Sequence, residues 1–174
     1  MRSVDVCLTH QDFDNYDHKG KIVVVIDVLR ATSTINTLLF LGADHVRPIG
    51  SLEECKSLKD HDYIIMAERL GKKVEGFDYG NSPTKLTEKD IKGKKVAIAT
   101  SNGSKAIIKS EGSEMTILCS FLNIESVINR IKKSESDVIL LCSGWLGKTN
   151  LEDTLCAGGI LQVWITLKLN LTLH

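Results

Sequence analysis

The run Ile22-Val23-Val24-Val25-Ile26 constrains this chain more than any other stretch, because five consecutive β-branched residues are followed at once by Asp27 and, three residues later, by Arg30. β-branched side chains fit a pleated strand and crowd the preceding turn of a helix. A run that is apolar at every position suits a strand covered on both faces, as in a largely parallel sheet. The pattern recurs at residues 4–8, 63–66, 96–99, 116–119 and 138–141, and more weakly at 45–49, where Pro48 cannot donate to a ladder.

Helical patterns lie between these runs. Ile124, Val127, Ile128 and Ile131 recur at helical spacing, with Arg130, Lys132 and Lys133 in the last turn, where positive charge meets the negative end of the helix dipole. Ile35, Leu38 and Leu39 form a second stripe behind Thr32-Ser33-Thr34, residues 51–58 a third, and Ser101 or Asn102 can cap a fourth through Ala106 and Ile107. Strands alternating with helices predict an α/β fold, a layered, largely parallel or mixed β-sheet flanked by helices with right-handed crossovers.

The chain has 174 residues, 43% hydrophobic and 25% charged, with 22 Lys+Arg against 22 Asp+Glu. That balance excludes a disordered chain and argues against a nucleic-acid partner. No run of 18 apolar residues predicts a membrane span, and the first residues carry no apolar signal region. The cysteines at 7, 55, 119, 142 and 156 form no CxxC pair, so a reducing, cytoplasmic location without disulfides is expected. The oligomeric state is not legible.

Polar residues gather where the apolar runs end. Asp27 and Arg30 follow Ile22–Ile26, Glu68-Arg69 follows 63–66, Thr100-Ser101-Asn102-Gly103-Ser104 follows 96–99, and Cys142-Ser143-Gly144 follows 138–141. Ligands of open parallel sheets bind outside the carboxyl ends of the strands. Arg30 and Arg69 suit phosphate or sulfonate by paired hydrogen bonds. Thr32-Ser33-Thr34 and residues 101–104 lie where helices begin, and free backbone N–H groups there favour an anion. Asp27, Glu68, Asp78, Glu152 and Asp153 are hard oxygen donors of the kind Mg²⁺ takes. Simpler roles stay open beside these. Asp27 can cap a helix, Arg30 and Glu68-Arg69 can form ordinary ion pairs, and Thr100–Ser104 can be a capped turn. Gly71, Gly76, Gly80 and Asn81-Ser82-Pro83 suit turns, and Cys142 suits a small buried residue.

Read together, these blocks resemble the 2-phosphosulfolactate phosphatase family of coenzyme M biosynthesis. The resemblance runs from Ile22 to about Gly158. It includes Asp27-Val28-Leu29-Arg30-Ala31-Thr32-Ser33-Thr34-Ile35, Glu68-Arg69-Leu70-Gly71 and Gly76-Phe77-Asp78-Tyr79-Gly80-Asn81-Ser82-Pro83. It continues through Thr100–Ser104, Ser120-Phe121-Leu122-Asn123, Cys142-Ser143-Gly144, Glu152-Asp153 and Cys156-Ala157-Gly158. The resemblance implies a Mg²⁺-dependent phosphatase acting on a small phosphate ester that also bears a carboxylate and a sulfonate. Such an ester carries about three to four negative charges near neutrality, and its products are sulfolactate and phosphate. On this reading Asp27, Arg30, Glu68 and Arg69 are catalytic. Thr32, Ser33, Asn81, Ser101, Asn102, Gly103, Ser104, Ser143 and Gly144 contact substrate, and Asp27, Glu68 and Asp153 hold the metal. The nucleophile is a metal-bound water or Asp27 itself. Leu29 stands where a DxD phosphatase would have its second acid, and Lys148 where a Cys-x5-Arg loop would have its arginine; both favour water.

The chain departs from the family in two places. Ala67 replaces a glycine before the Glu-Arg pair. After residue 158 the family pattern fades, and Ile165, Leu167, Leu169, Leu171 and Leu173 alternate with Thr166, Lys168, Asn170 and Thr172. Alternation predicts a strand, so residues 1–158 read as the phosphatase-like domain, incomplete relative to the family, and 159–174 as an atypical tail, with low activity expected. Two other functions stay in view. One is a cysteine hydrolase of the isochorismatase type, using Asp27, a lysine and Cys142. The other is a shortened anion-binding domain without catalysis.

Overall fold

The computed structural model of the chain describes residues 2–172. In chain order its elements are β1 (Val4–Cys7), β2 (Ile22–Ile26), α1 (Ala31–Phe40), β3 (His45–Pro48), α2 (Leu52–Ser57), β4 (Tyr63–Arg69), β5 (Lys72–Lys73) and α3 (Glu88–Ile91). They continue with β6 (Lys95–Ala99), α4 (Gly103–Lys109), β7 (Met115–Cys119), α5 (Ile124–Lys132), β8 (Val138–Cys142) and α6 (Leu151–Thr172). The apolar runs all become strands, and the fold class is the expected α/β.

The strands divide into two four-stranded sheets, ordered β1-β8-β2-β7 and β3-β6-β4-β5. All pairings are parallel except β4 with the short β5. Periodicity identifies a strand but not its partners, so the division into two sheets is not visible in the runs themselves. The β2 run behaves as its composition requires, with all five residues fully buried. Ile22, Val24 and Ile26 pack with Val127 and Ile131 of α5 and Cys156, Ala157, Ile160 and Trp164 of α6. Val23 and Val25 face the opposite way, against Phe13 and Ala106. Each such buried aliphatic side chain contributes about 1.5–3 kcal/mol. Ile107 of α4 and Leu118 of β7 pack against the cores of both sheets and so join them.

The C-terminal segment differs from its expectation. Helix α6 runs unbroken through Thr172 where alternating leucines pointed to a strand; Leu173 and His174 lie outside the described residues. The helix is anchored early, by Cys156, Ala157, Ile160 and Trp164 on the core of the first sheet. A side chain on Gly159 would crowd Ile124 Cδ1 at 3.2 Å, so glycine lets α6 approach α5. No proline or turn signal follows, and extending an anchored helix is easier than nucleating a separate strand.

Candidate active site

Parallel strands bring their carboxyl ends to one side of a sheet, and here the two sheets present those ends to each other. β2, β4, β6 and β8 deliver Asp27, Glu68, Thr100-Ser101-Asn102 and Gly144 to a single niche, completed by Leu29, Arg30, Asn81 and Trp145. The niche encloses about 10 Å³, room for about one water.

Asp27 is held by the segment that follows it. Its Oδ1 accepts the Ala31 N–H at 3.0 Å, and its carbonyl accepts the Thr32 N–H at 2.9 Å. Thr32 Oγ1 ties down the same turn, accepting the Asp27 N–H at 3.1 Å and donating towards Cys119 O at 2.6 Å. Across the niche, α4 begins at Gly103, where any Cβ would collide with Asp27 Oδ2 and Ala31 Cβ. Burial pushes the Asp27 carboxyl up to about 7, helped by the nearby Asp153 and Glu68 charges, while the Ala31 and Gly103 N–H groups act the other way.

Glu68 is 6% exposed. Its Oε1 accepts the Gly71 N–H at 3.0 Å and the Ser101 hydroxyl at 3.3 Å. Gly71 in turn accepts Arg30 Nη2 on its carbonyl at 3.2 Å. Gly71 has φ +79°, a left-handed conformation that glycine adopts without strain. The turn 68–71 thus links the acid of β4 to the guanidinium behind β2.

Other predicted site residues lie elsewhere. Arg69 Nη1 donates to the carbonyls of Glu68 at 2.7 Å and Ala99 at 3.5 Å, tying the ends of β4 and β6 together, and it lines no part of the niche. Asp153 is fully buried, its Oδ1 accepting Val28 N–H at 2.8 Å and its Oδ2 accepting Ser143 N–H at 3.2 Å. Burial holds its carboxyl above the usual range. Thr32, Ser33 and Ser104 spend their hydroxyls on nearby backbone. Ser143 is buried outside the niche, whereas Gly144 does line it, with φ +70° and a position where a Cβ would meet Lys148 O at 2.8 Å. Among the described residues no group of three His, Cys, Asp or Glu side chains is arranged to hold a metal ion; Asp27 and Glu68 are the two acids that share the niche.

Cys142 is not placed as a nucleophile. It is fully buried on β8, outside the niche, and burial pushes its thiol up to about 12. A reactive thiol needs the reverse, an exposed electropositive setting, so the cysteine-hydrolase alternative loses its central residue.

The niche opens into a wider cleft of about 330 Å³, lined by Arg30, Gly71, Lys73, Asp78, Tyr79, Gly80, Asn81, Ser82 and Lys85. Arg30 and Asn81 border both spaces. Lys73, Lys85 and Trp145 were not among the expected site residues, because they reach it only through how β5 and the segments after Asn81 and Gly144 fold back.

A model of the 2-phosphosulpholactate phosphatase family matches residues 7–172. The chain belongs to this family. It is 41% identical over 158 residues to a probable 2-phosphosulfolactate phosphatase of Caldanaerobacter subterraneus subsp. tengcongensis, an alignment covering 88% of this chain and 66% of that protein. Proteins of the same name from Clostridium acetobutylicum and Thermotoga maritima are 38% and 42% identical, over 91% and 82% of this chain and 69% and 62% of theirs. The chain thus spans about two thirds of the length of these phosphatases. The family match includes α6, past the point where the resemblance was expected to fade.

Proposed function

We propose that the chain carries a Mg²⁺-dependent phosphatase site for 2-phosphosulfolactate or a closely similar acidic phosphate ester, releasing sulfolactate and phosphate. The observation that carries this reading is the meeting of Asp27, Glu68 and Arg30 at one niche in a chain of this family. Two buried acids side by side repel, which is part of why Asp27 sits near neutrality, and a divalent cation between them would relieve that repulsion. Mg²⁺ typically takes one or two carboxylates and completes its shell with water and substrate phosphate, so Asp27 and Glu68 fit it without a third acid. When bound, Mg²⁺ would neutralise phosphoryl oxygens and acidify a coordinated water.

The protein's own groups do the rest. Arg30, at the mouth of the niche, can pair with two phosphoryl oxygens and stabilise charge as the ester bond breaks. Ser101 and the Gly71 N–H fix the orientation of Glu68. Asp27, Glu68 and Asn81 are each buried at the niche, and a charge interaction is stronger there than in bulk water. Burial of Cys142 and the leucine two residues after Asp27 support water as nucleophile. A cytoplasmic location accords with five free cysteines; no helix among the described residues is long and apolar enough to cross a membrane.

The test is phosphate release from 2-phosphosulfolactate with Mg²⁺ and with excess chelator. Release that needs Mg²⁺ and survives thiol alkylation supports the reading. Binding of sulfolactate without any release would leave a non-catalytic anion-binding domain instead.

A further inference from the structure

The outer cleft presents an unbalanced set of cations. Arg30, Lys73 and Lys85 line it, and none of the three takes part in any ion pair among the described residues. The cleft's one acid, Asp78, is already spent: Oδ1 pairs with Lys59 at 3.0 Å, and Oδ2 accepts the Ile65 N–H at 3.0 Å. Asn81 borders cleft and niche alike, is 2% exposed, and its Oδ1 has no hydrogen-bond partner. A buried amide left unpaired is costly, and a half-turn of this one offers an N–H donor to an anion.

The wall carrying these groups is pinned. Val74 N–H donates to Ala67 O at 3.2 Å and Ala67 N–H to Tyr79 O at 3.1 Å, so the segments around Lys73 and Tyr79 are both tied to β4. Lys73 Nζ donates to Asp78 O at 3.1 Å. A Cβ on Gly80 would meet Lys73 Cβ at 3.1 Å, so glycine permits this close passage.

We propose that this cleft is the specificity site for the non-reacting acidic groups of the substrate, with Lys73 and Lys85 receiving its sulfonate and carboxylate while Arg30 faces the phosphoryl group at the junction. The proposal rests on the phosphatase reading, which supplies the identity of the ester and of the sulfolactate probe, while the binding test needs no turnover. A monoester lacking a second acid leaves both lysines unused, whereas an ester with two further acids offers each of them a partner. Both lysines are exposed, and their substitution costs little stability; Lys73→Gln gives up the bond to Asp78 O, while the backbone bonds that pin the wall remain.

The experiment is calorimetric titration of sulfolactate into wild type, Lys73→Gln, Lys85→Gln and the double variant, with lactate as the ligand lacking a sulfonate. Each single variant is expected to weaken sulfolactate binding at least fivefold and the double variant at least thirtyfold, while lactate binding changes less than the double-variant loss. Wild type that fails to bind sulfolactate, or a double variant that binds it like wild type, would overturn the inference. Binding that follows the expected order in a protein that releases no phosphate would uphold the cleft and remove only the catalytic reading.

Discussion

Glu68 and Arg69 are neighbours in the chain but turn to opposite faces of β4. Ile64 and Met66 pack in one core cluster and Ile65 and Ala67 in another, and the alternation carries on to the end of the strand. Glu68 thereby enters the niche beside Ser101, while the Arg69 guanidinium lies on the carbonyls of Glu68 and Ala99. The two residues are placed for different tasks: Glu68 lines the niche, while Arg69 ties the ends of β4 and β6 together.

This separates the two arginines experimentally. Arg69→Met removes charge-assisted bonds to two carbonyls and is expected to lower the unfolding free energy by about 1–3 kcal/mol, with at most a modest change in turnover. Arg30→Met gives up a bond to Gly71 at a half-exposed site, so stability should move by only about 0.5 kcal/mol, while phosphate release falls at least about a hundredfold. Denaturant titration and a phosphate assay on both variants check this; turnover lost in Arg69→Met with stability unchanged would reverse the assignment.

The opposite facing of Glu68 and Arg69 was within reach of the sequence, because a period of two places adjacent strand residues on opposite sides. The positions of Asp27, Glu68, Ser101-Asn102 and Gly144 were also legible, since polar residues after buried strands have few other places to go. Asp153 was not. Its oxygens are taken up by the Val28 and Ser143 N–H groups, a fact about where two distant strand ends stop. Lys73 and Lys85 are invisible for a similar reason: Lys73 reaches the cleft because β5 turns back antiparallel on β4, and Lys85 because the segment after Asn81 closes on itself through local bonds such as Lys85 N–H to Ser82 O. In α6 the alternating leucines suggested a strand, but anchoring at Cys156 and Ile160 carries the helix onward.

Asp27 makes stability depend on pH. Its carboxyl is raised to about 7 by burial first and by Asp153 and Glu68 after it. Between about pH 4 and 7 the folded protein therefore keeps a proton that the unfolded chain has released. Stability is highest below the unfolded value and is lost as pH rises through the folded one. Asp27→Asn removes this dependence while its Oδ1 can still accept the Ala31 N–H. In the presence of chelator, the melting temperature of the variant should gain on wild type steadily from about pH 4 to 7, then level off. Parallel curves across that range would show that Asp27 ionises normally.

Gly103→Ala tests the closeness of the two sides of the niche. The added Cβ would run into Asp27 Oδ2 and Ala31 Cβ, neither of which is the free end of a flexible side chain. Overpacking of this kind costs about 1–3 kcal/mol, and the displaced carboxylate should take most of the activity with it. A variant with wild-type melting temperature and turnover would mean that α4 does not press on Asp27.

The most direct measurement of the shared acid site is phosphate release from 2-phosphosulfolactate by Glu68→Gln across a Mg²⁺ titration. Glutamine keeps an Oε1 that can accept from Gly71 and Ser101, so the variant should melt like wild type. Its kcat/KM is predicted to fall at least about a hundredfold, with the Mg²⁺ needed for half-maximal activity clearly raised. Turnover within about twofold of wild type at unchanged Mg²⁺ demand would contradict the account, because the acid from β4 would then play no part in the reaction.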